Sequence, residues 1–324
     1  MIKPLLFISF LILAAIQGFR WDVGTDFELY LNIFNSSPHI TYSSDFVEIG
    51  YLYINKFFNI LGLNFQSFLI IVAIIINFNF IKGSIVLSKD PISVFYFYVT
   101  TGIYFSTFNT IRQSIVVSVL FLSLTLIRDK KFLKFSAIVF LLFLIHRSAL
   151  LAFSFIILYY IVISPILFFI LSLIVITLIN TSLSNVIIAS LFNILPEKYL
   201  MYKEQIFIAE GIELINLLLP FLLMLFIIIN YYRLIKLNFF NKFLINLFFA
   251  YFLLLVISTE YLLFYRVASY FQIAQILLLP QLLLLVRKKD RWILDVILVI
   301  AFSIFIIGKI ILGHYGVLPY QTKL

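Results

Sequence analysis

Cysteine is missing altogether, which excludes disulfides, thiolate metal sites and a cysteine nucleophile. Charge is nearly as scarce: Asp, Glu, Lys and Arg make up 11% of 324 residues, against 64% hydrophobic residues. So few polar side chains cannot cover a water-facing surface, and a mean hydropathy of +1.16 indicates a polytopic membrane protein. No long polar block interrupts the apolar runs, so residues 1–324 read as a single transmembrane domain of all-α class. No Gly-rich phosphate loop, H-E-x-x-H motif or internal repeat is present, and neither a metal nor a cofactor is expected. The net charge of +9 is spread over loops and forms no single patch, which leaves nucleic-acid binding without support.

What is present is a series of apolar segments separated by short charged connections. Eleven crossings are expected, at 5–19, 65–81, 92–108, 113–127, 133–146, 149–163, 166–180, 214–232, 243–259, 268–286 and 292–308, within a range of 10–12. The first run, Leu5–Ile16, follows Lys3 as a signal peptide's would. It has no small-x-small cleavage pattern and is read as a retained helix. Residues 133–163 could instead form one long helix, but that would carry seven basic residues to the outer side. Two short helices meeting at His146-Arg147 keep them inside. With the amino terminus in the cytoplasm, inner loops hold 14 of the 23 basic residues, and 10 of the 14 acids lie outside.

The residues able to do chemistry therefore gather on the extracytoplasmic face. Residues 20–64 form an outer loop in which Asp45, Glu48, Asn55, Lys56 and Asn59 make a polar arc about 100° wide at helical spacing. That pattern predicts an amphipathic helix lying on the bilayer surface. A second outer loop spans 181–213.

Arg20, Arg112, Arg147 and Arg266 also fall on this face. A guanidinium grips phosphate through a planar fork, so a lipid-linked pyrophosphate could draw them together. Taken singly, each could equally snorkel to phospholipid headgroups. Arg112 is set apart, because Asn109 and Gln113 flank it at the start of a helix whose free N–H groups favour an anion. Tyr270 shares a helical face with Arg266. His146 is either a general base or an interfacial histidine held by hydrogen bonds. Asp26, near Asp22 and Glu28, is either a carboxylate base or part of a solvated loop. Glu48, Asp26 and His146 are thus the candidate bases. The inner loops are too short for a nucleotide-binding domain, so a substrate reacting outside must arrive already activated, as polyprenyl-pyrophosphate sugars do.

Six segments in this order resemble the EpsG family of bacterial exopolysaccharide proteins, related to Wzy-type polymerases of O-antigen and capsule. They are "FRWDVGTDFELY" (19–30), "EIGYLYINKFF" (48–58), "NTIRQSIVVSVLFLS" (109–123), "FLLFLIHRSALL" (140–151), "YRVASYF" (265–271) and "LPY" (318–320). Members commonly carry a further hydrophobic segment ahead of the first motif. The resemblance implies a bacterial inner-membrane glycosyltransferase that joins polyprenyl-pyrophosphate-linked repeat units on the outer face. The expected reaction is an inverting displacement that needs neither metal nor nucleotide. Donor and acceptor lipid-linked oligosaccharides are the implied partners, with a chain-length regulator and a flippase expected from the pathway. A flippase or transporter of lipid-linked oligosaccharide and a sugar O-acyltransferase are the rival readings. The first should line its path through the membrane with charge, and the second would use His146-Arg147.

Overall fold

The computed structural model describes residues 2–40, 47–194 and 212–323. Asp45 and residues 195–211 of the expected second outer loop, with Glu197, Glu204 and Glu210, lie outside the described residues. The described chain is helical, and its one β-bridge pairs Arg20 with Thr322.

The expected count of about eleven crossings is overturned. Among the described residues, five helices are long and apolar enough to cross a membrane: Phe65–Leu87, Ile111–Arg128, Leu214–Leu237, Leu263–Leu285 and Arg291–Ile311. Pro165–Ile179 and Ser182–Ser190, which meet at 99°, make a sixth if they are one broken span. The other apolar helices, among them Pro4–Gly18, Pro91–Thr100, Phe132–Phe143 and Asn241–Ile257, have 10–17 residues. At 1.5 Å per residue they fall short of a hydrocarbon core about 30 Å thick. Hydropathy does not register the breaks within apolar runs. The run at 92–108 is cut at Gly102, whose φ of +90° ends one helix and starts another. A multi-pass membrane protein remains.

The chain forms two compact units. The first comprises Met1–Phe153 and Val286–Leu324. Its helices are α1 (Ile2–Gly18), α2 (Phe27–Ser36), α3 (Ile49–Ile60), α4 (Phe65–Leu87), α5 (Pro91–Thr100), α6 (Ile103–Ser106), α7 (Ile111–Arg128) and α8 (Phe132–Phe143). A 3₁₀ turn, Arg147–Ala152, follows α8, so the break falls at His146-Arg147 as expected. The last long helix, Arg291–Ile311, also belongs here; Tyr96 of α5 donates to Val299 O at 2.8 Å.

Helix α4 is central, packed between α1 and α7. Phe80 of α4 stacks on Tyr98 at 4.0 Å and on Phe121 of α7 at 5.1 Å. Gly83 lets the two helices approach, since a Cβ there would lie 2.6 Å from the Phe121 ring. Gly83→Leu should therefore destabilise the unit by about 1–3 kcal/mol, read as a drop in detergent-phase melting temperature. An unchanged melting temperature would mean that this contact does not constrain the pair. A buried polar thread runs beside it: Asn77 donates to Gln17 Oε1 at 2.7 Å, and Gln17 donates to Thr107 Oγ1 at 2.8 Å. Each amide thus has a partner where water is absent.

Helix α3 corrects the second expectation for this region. It forms, but part of its polar arc does not face outward: Asn55 is fully buried and Glu48 nearly so, Lys56 and Asn59 are half-buried, while Tyr53, Phe57 and Ile60 are exposed. At Glu48 and Asn55 the arc read as a wet surface turns inward and brings a carboxylate to the interior.

The second unit, Ser154–Leu285, holds most of α9 (Phe153–Tyr160), then α10 (Pro165–Ile179), α11 (Ser182–Ile194), α12 (Leu218–Leu237), α13 (Phe240–Ile257) and α14 (Leu263–Leu282). The α13–α14 pair forms its core, with Phe168 of α10 stacked on Phe249 at 3.5 Å. Asn246 donates to Leu158 O and Ile161 O and so satisfies carbonyls at the end of α9.

Candidate functional site

Four of the candidate residues meet inside the first unit. Glu48 caps the start of α3 in extended backbone, and Gly50 N–H donates to Leu144 O at 2.8 Å just beyond α8. Only glycine permits that approach, because a Cβ at position 50 would lie 2.6 Å from Leu144 O. The contact sets the Glu48 carboxylate against the His146-Arg147 turn. His146 Nδ1 lies 2.9 Å from Glu48 Oε1, and the Arg147 N–H donates to the same oxygen at 3.2 Å. From α7, Arg112 Nη1 donates to Glu48 Oε2 at 2.5 Å. Three distant segments thus converge on one carboxylate.

The electrostatics follow from this geometry. Burial by itself raises the Glu48 pKa, but the His146 hydrogen bond and the Arg112 charge outweigh it and hold the carboxyl at about 2. An ionised Glu48 requires its partner nitrogen to be the donor. A proton of the imidazole therefore sits on Nδ1. Glu48 is accordingly a poor proton acceptor near neutral pH and a good orienting group. Because its folded pKa lies below the ordinary 4.5, its stabilisation is complete above about 4.5 and is lost as the pH falls through about 2. Melting temperature should fall over that window for the wild type, and Glu48→Gln should flatten the fall. Parallel acid limbs in the two proteins would contradict the ion pair.

Tyr30 and Tyr51 flank Arg112, their ring centroids 6.0 and 5.7 Å from its Cζ, and Tyr30 is also its hydrogen-bond partner. Neither tyrosine was singled out from sequence. Tyr51 falls on the side of α3 expected to be merely apolar, although a phenol four residues before Asn55 was the available signal.

Arg20 lies in the same unit but is held differently. It is only 1% exposed, and its Cζ sits 4.8 Å from the centroid of the Phe108 ring. Burial is the leading influence on it and lowers its pKa to about 10, against the opposing effect of Tyr30, Tyr104, Tyr320 and Tyr51. The chain after α1 is clasped by the C-terminal tail: Trp21 N–H donates to Gln321 O, Gly24 N–H donates to Gly316 O, and Tyr320 donates to Ile16 O at 2.7 Å. Asn109 completes the clasp. Its Oδ1 accepts from Thr25 N at 2.8 Å and its Nδ2 donates to Tyr315 O at 3.0 Å.

The remaining candidates divide as follows. Gln113 is buried on α7, and Asp26 is half-buried and accepts from Thr25 Oγ1. Arg266 is exposed and Tyr270 buried, both on α14 of the second unit. Among the described residues, no group of three or more His, Cys, Asp or Glu side chains is arranged to hold a metal ion. Five of the six sequence segments that resemble a known family lie in the first unit, and the profile of that family, EpsG, matches residues 3–322. No curated protein and no solved structure matches the chain.

Proposed function

The chain belongs to the EpsG family, and from that premise we propose that it is a polysaccharide polymerase. It joins polyprenyl-pyrophosphate-linked oligosaccharides on the extracytoplasmic face of a bacterial inner membrane. The observation that carries this reading is the Glu48 carboxylate shared between His146 Nδ1 at 2.9 Å and Arg112 Nη1 at 2.5 Å. This arrangement is an oriented imidazole base beside fixed positive charge.

In the reaction, His146 Nε2 takes the proton of the acceptor's sugar hydroxyl while Glu48 holds the ring and stabilises the imidazolium. The hydroxyl oxygen bonds to the donor's anomeric carbon as the bond from that carbon to the pyrophosphate oxygen breaks. The lipid pyrophosphate leaves with the electron pair. Direct displacement inverts the anomeric centre. Arg147 stabilises charge developing on the leaving group, while Arg112 is engaged by Glu48 and holds it in place. Asp26, with no comparable partner network among the described residues, is a weaker candidate base than His146. Arg266 and Tyr270 remain proposed substrate contacts, as do Gln113 and Asn109, the latter by holding the loop at 24–25.

Deleting the gene and assigning lipid-linked intermediates to their leaflet tests the reading. Single repeat units on the outer leaflet with no long polymer are expected. Units trapped on the inner leaflet would make it a flippase, and full-length polymer lacking acyl groups would make it an acyltransferase.

A further inference from the structure

Among the described residues, Arg20 is a buried cation without a counter-ion. Among the described residues no carboxylate forms an ion pair with it, and its Nε and Nη1 are buried with no hydrogen-bond partner. Guanidinium N–H groups in such surroundings are normally satisfied, and a lone buried charge is among the least favourable features a fold can carry. One face of the group is closed by Phe108. Among the described residues the Tyr51 hydroxyl is also buried without a hydrogen-bond partner, while the hydroxyls of Tyr104 and Tyr320 are engaged by Leu13 O and Ile16 O. The backbone of Arg20 is bridged to Thr322, and residues 318–323 are exposed.

Arg112 differs in kind. Glu48 neutralises it, so it offers an incoming anion far less net charge than Arg20 does. The two arginines share one pair of phenols. Tyr30 and Tyr51 flank Arg112 and also fall within electrostatic reach of Arg20.

We infer that Arg20, with the Tyr51 hydroxyl, is the seat of a diphosphate group, and that Arg112 is a positioning residue for the Glu48–His146 pair. This inference rests on the polymerase reading for the identity of the anion, the pyrophosphate of the lipid-linked donor. Its physical basis is the unfilled donors of Arg20. The diphosphate supplies the missing counter-charge, and the reacting carbon is then presented toward the imidazole beyond Tyr30 and Tyr51.

The test uses purified full-length protein in detergent, with wild type, Arg20→Met, Arg20→Lys and Arg112→Met compared for melting temperature and for binding of geranylgeranyl pyrophosphate. In the absence of ligand, Arg20→Met should melt at or above the wild-type temperature, because it removes an uncompensated buried charge. It should bind the pyrophosphate at least about tenfold more weakly, the loss expected for ionic hydrogen bonds. Arg20→Lys should bind at an intermediate level, and Arg112→Met should bind near wild type despite a lower melting temperature. Arg20→Met that melts well below wild type and still binds normally would overturn the assignment, as would loss of binding in Arg112→Met alone. Inorganic pyrophosphate should compete with the lipid, whereas an equal response to phosphatidylglycerol would identify the ligand as an ordinary headgroup and refute the diphosphate. Binding through Arg20 without polymer formation in reconstituted membranes would leave the assignment standing and defeat the polymerase reading alone.

Discussion

Glu48→Ala should abolish polymer formation and lower the stability of the first unit at the same time. The carboxylate accepts from His146, the Arg147 backbone and Arg112 and is itself mostly buried. Removing it leaves the Arg112 guanidinium, 17% exposed at the side chain, without the partner that offsets its desolvation. Breaking a buried pair from one side typically costs about 3–5 kcal/mol. The imidazole also loses its orientation, so polymer yield should fall on the order of 100-fold or more. The double variant Glu48→Ala with Arg112→Met should recover much of the stability and none of the activity. Recovery of both would show that the pair only braces the fold.

His146→Ala should have the complementary signature of lost activity with little lost stability. The ring is one-quarter exposed at the side chain and contributes one of three hydrogen bonds to Glu48, which keeps Arg112 and the Arg147 N–H. Melting temperature should shift by no more than a few degrees. Polymer yield should fall by about 100- to 10,000-fold, the usual contribution of a general base. His146→Gln, which can keep a hydrogen bond to Glu48 but cannot take up the proton, separates the roles. Wild-type polymer length and rate in that variant would remove His146 from the chemistry and leave a bracing role.

Much of this site was legible in the sequence, because charged residues in an apolar chain stand out singly. Arg20, Glu48, Arg112, His146 and Arg147 were all picked for that reason. The break at His146-Arg147 followed from where basic residues must lie. Their pairing was not legible. Helical spacing placed Glu48 on a polar arc but could not say whether the arc met water or protein, and it met protein because Arg112 and His146 were there to receive it. In the proposed mechanism Glu48 is therefore the group that aims the base. The helix count failed for a related reason. Hydropathy measures how apolar a run is, whereas crossing depends on unbroken length, and Gly102 interrupts an apolar run without altering its hydropathy.

The clasp between the C-terminal tail and the chain after α1 has a consequence for biosynthesis. Tyr320 reaches Ile16 across 304 residues, and Gln321 receives Trp21 from similarly far along the chain. Until the ribosome has delivered residues 315–321, these bonds cannot form. A nascent chain stalled before residue 315 would therefore leave residues 16–25 without the contacts that fix them. Setting residues 16–25 in place thus waits on a contact 304 residues away.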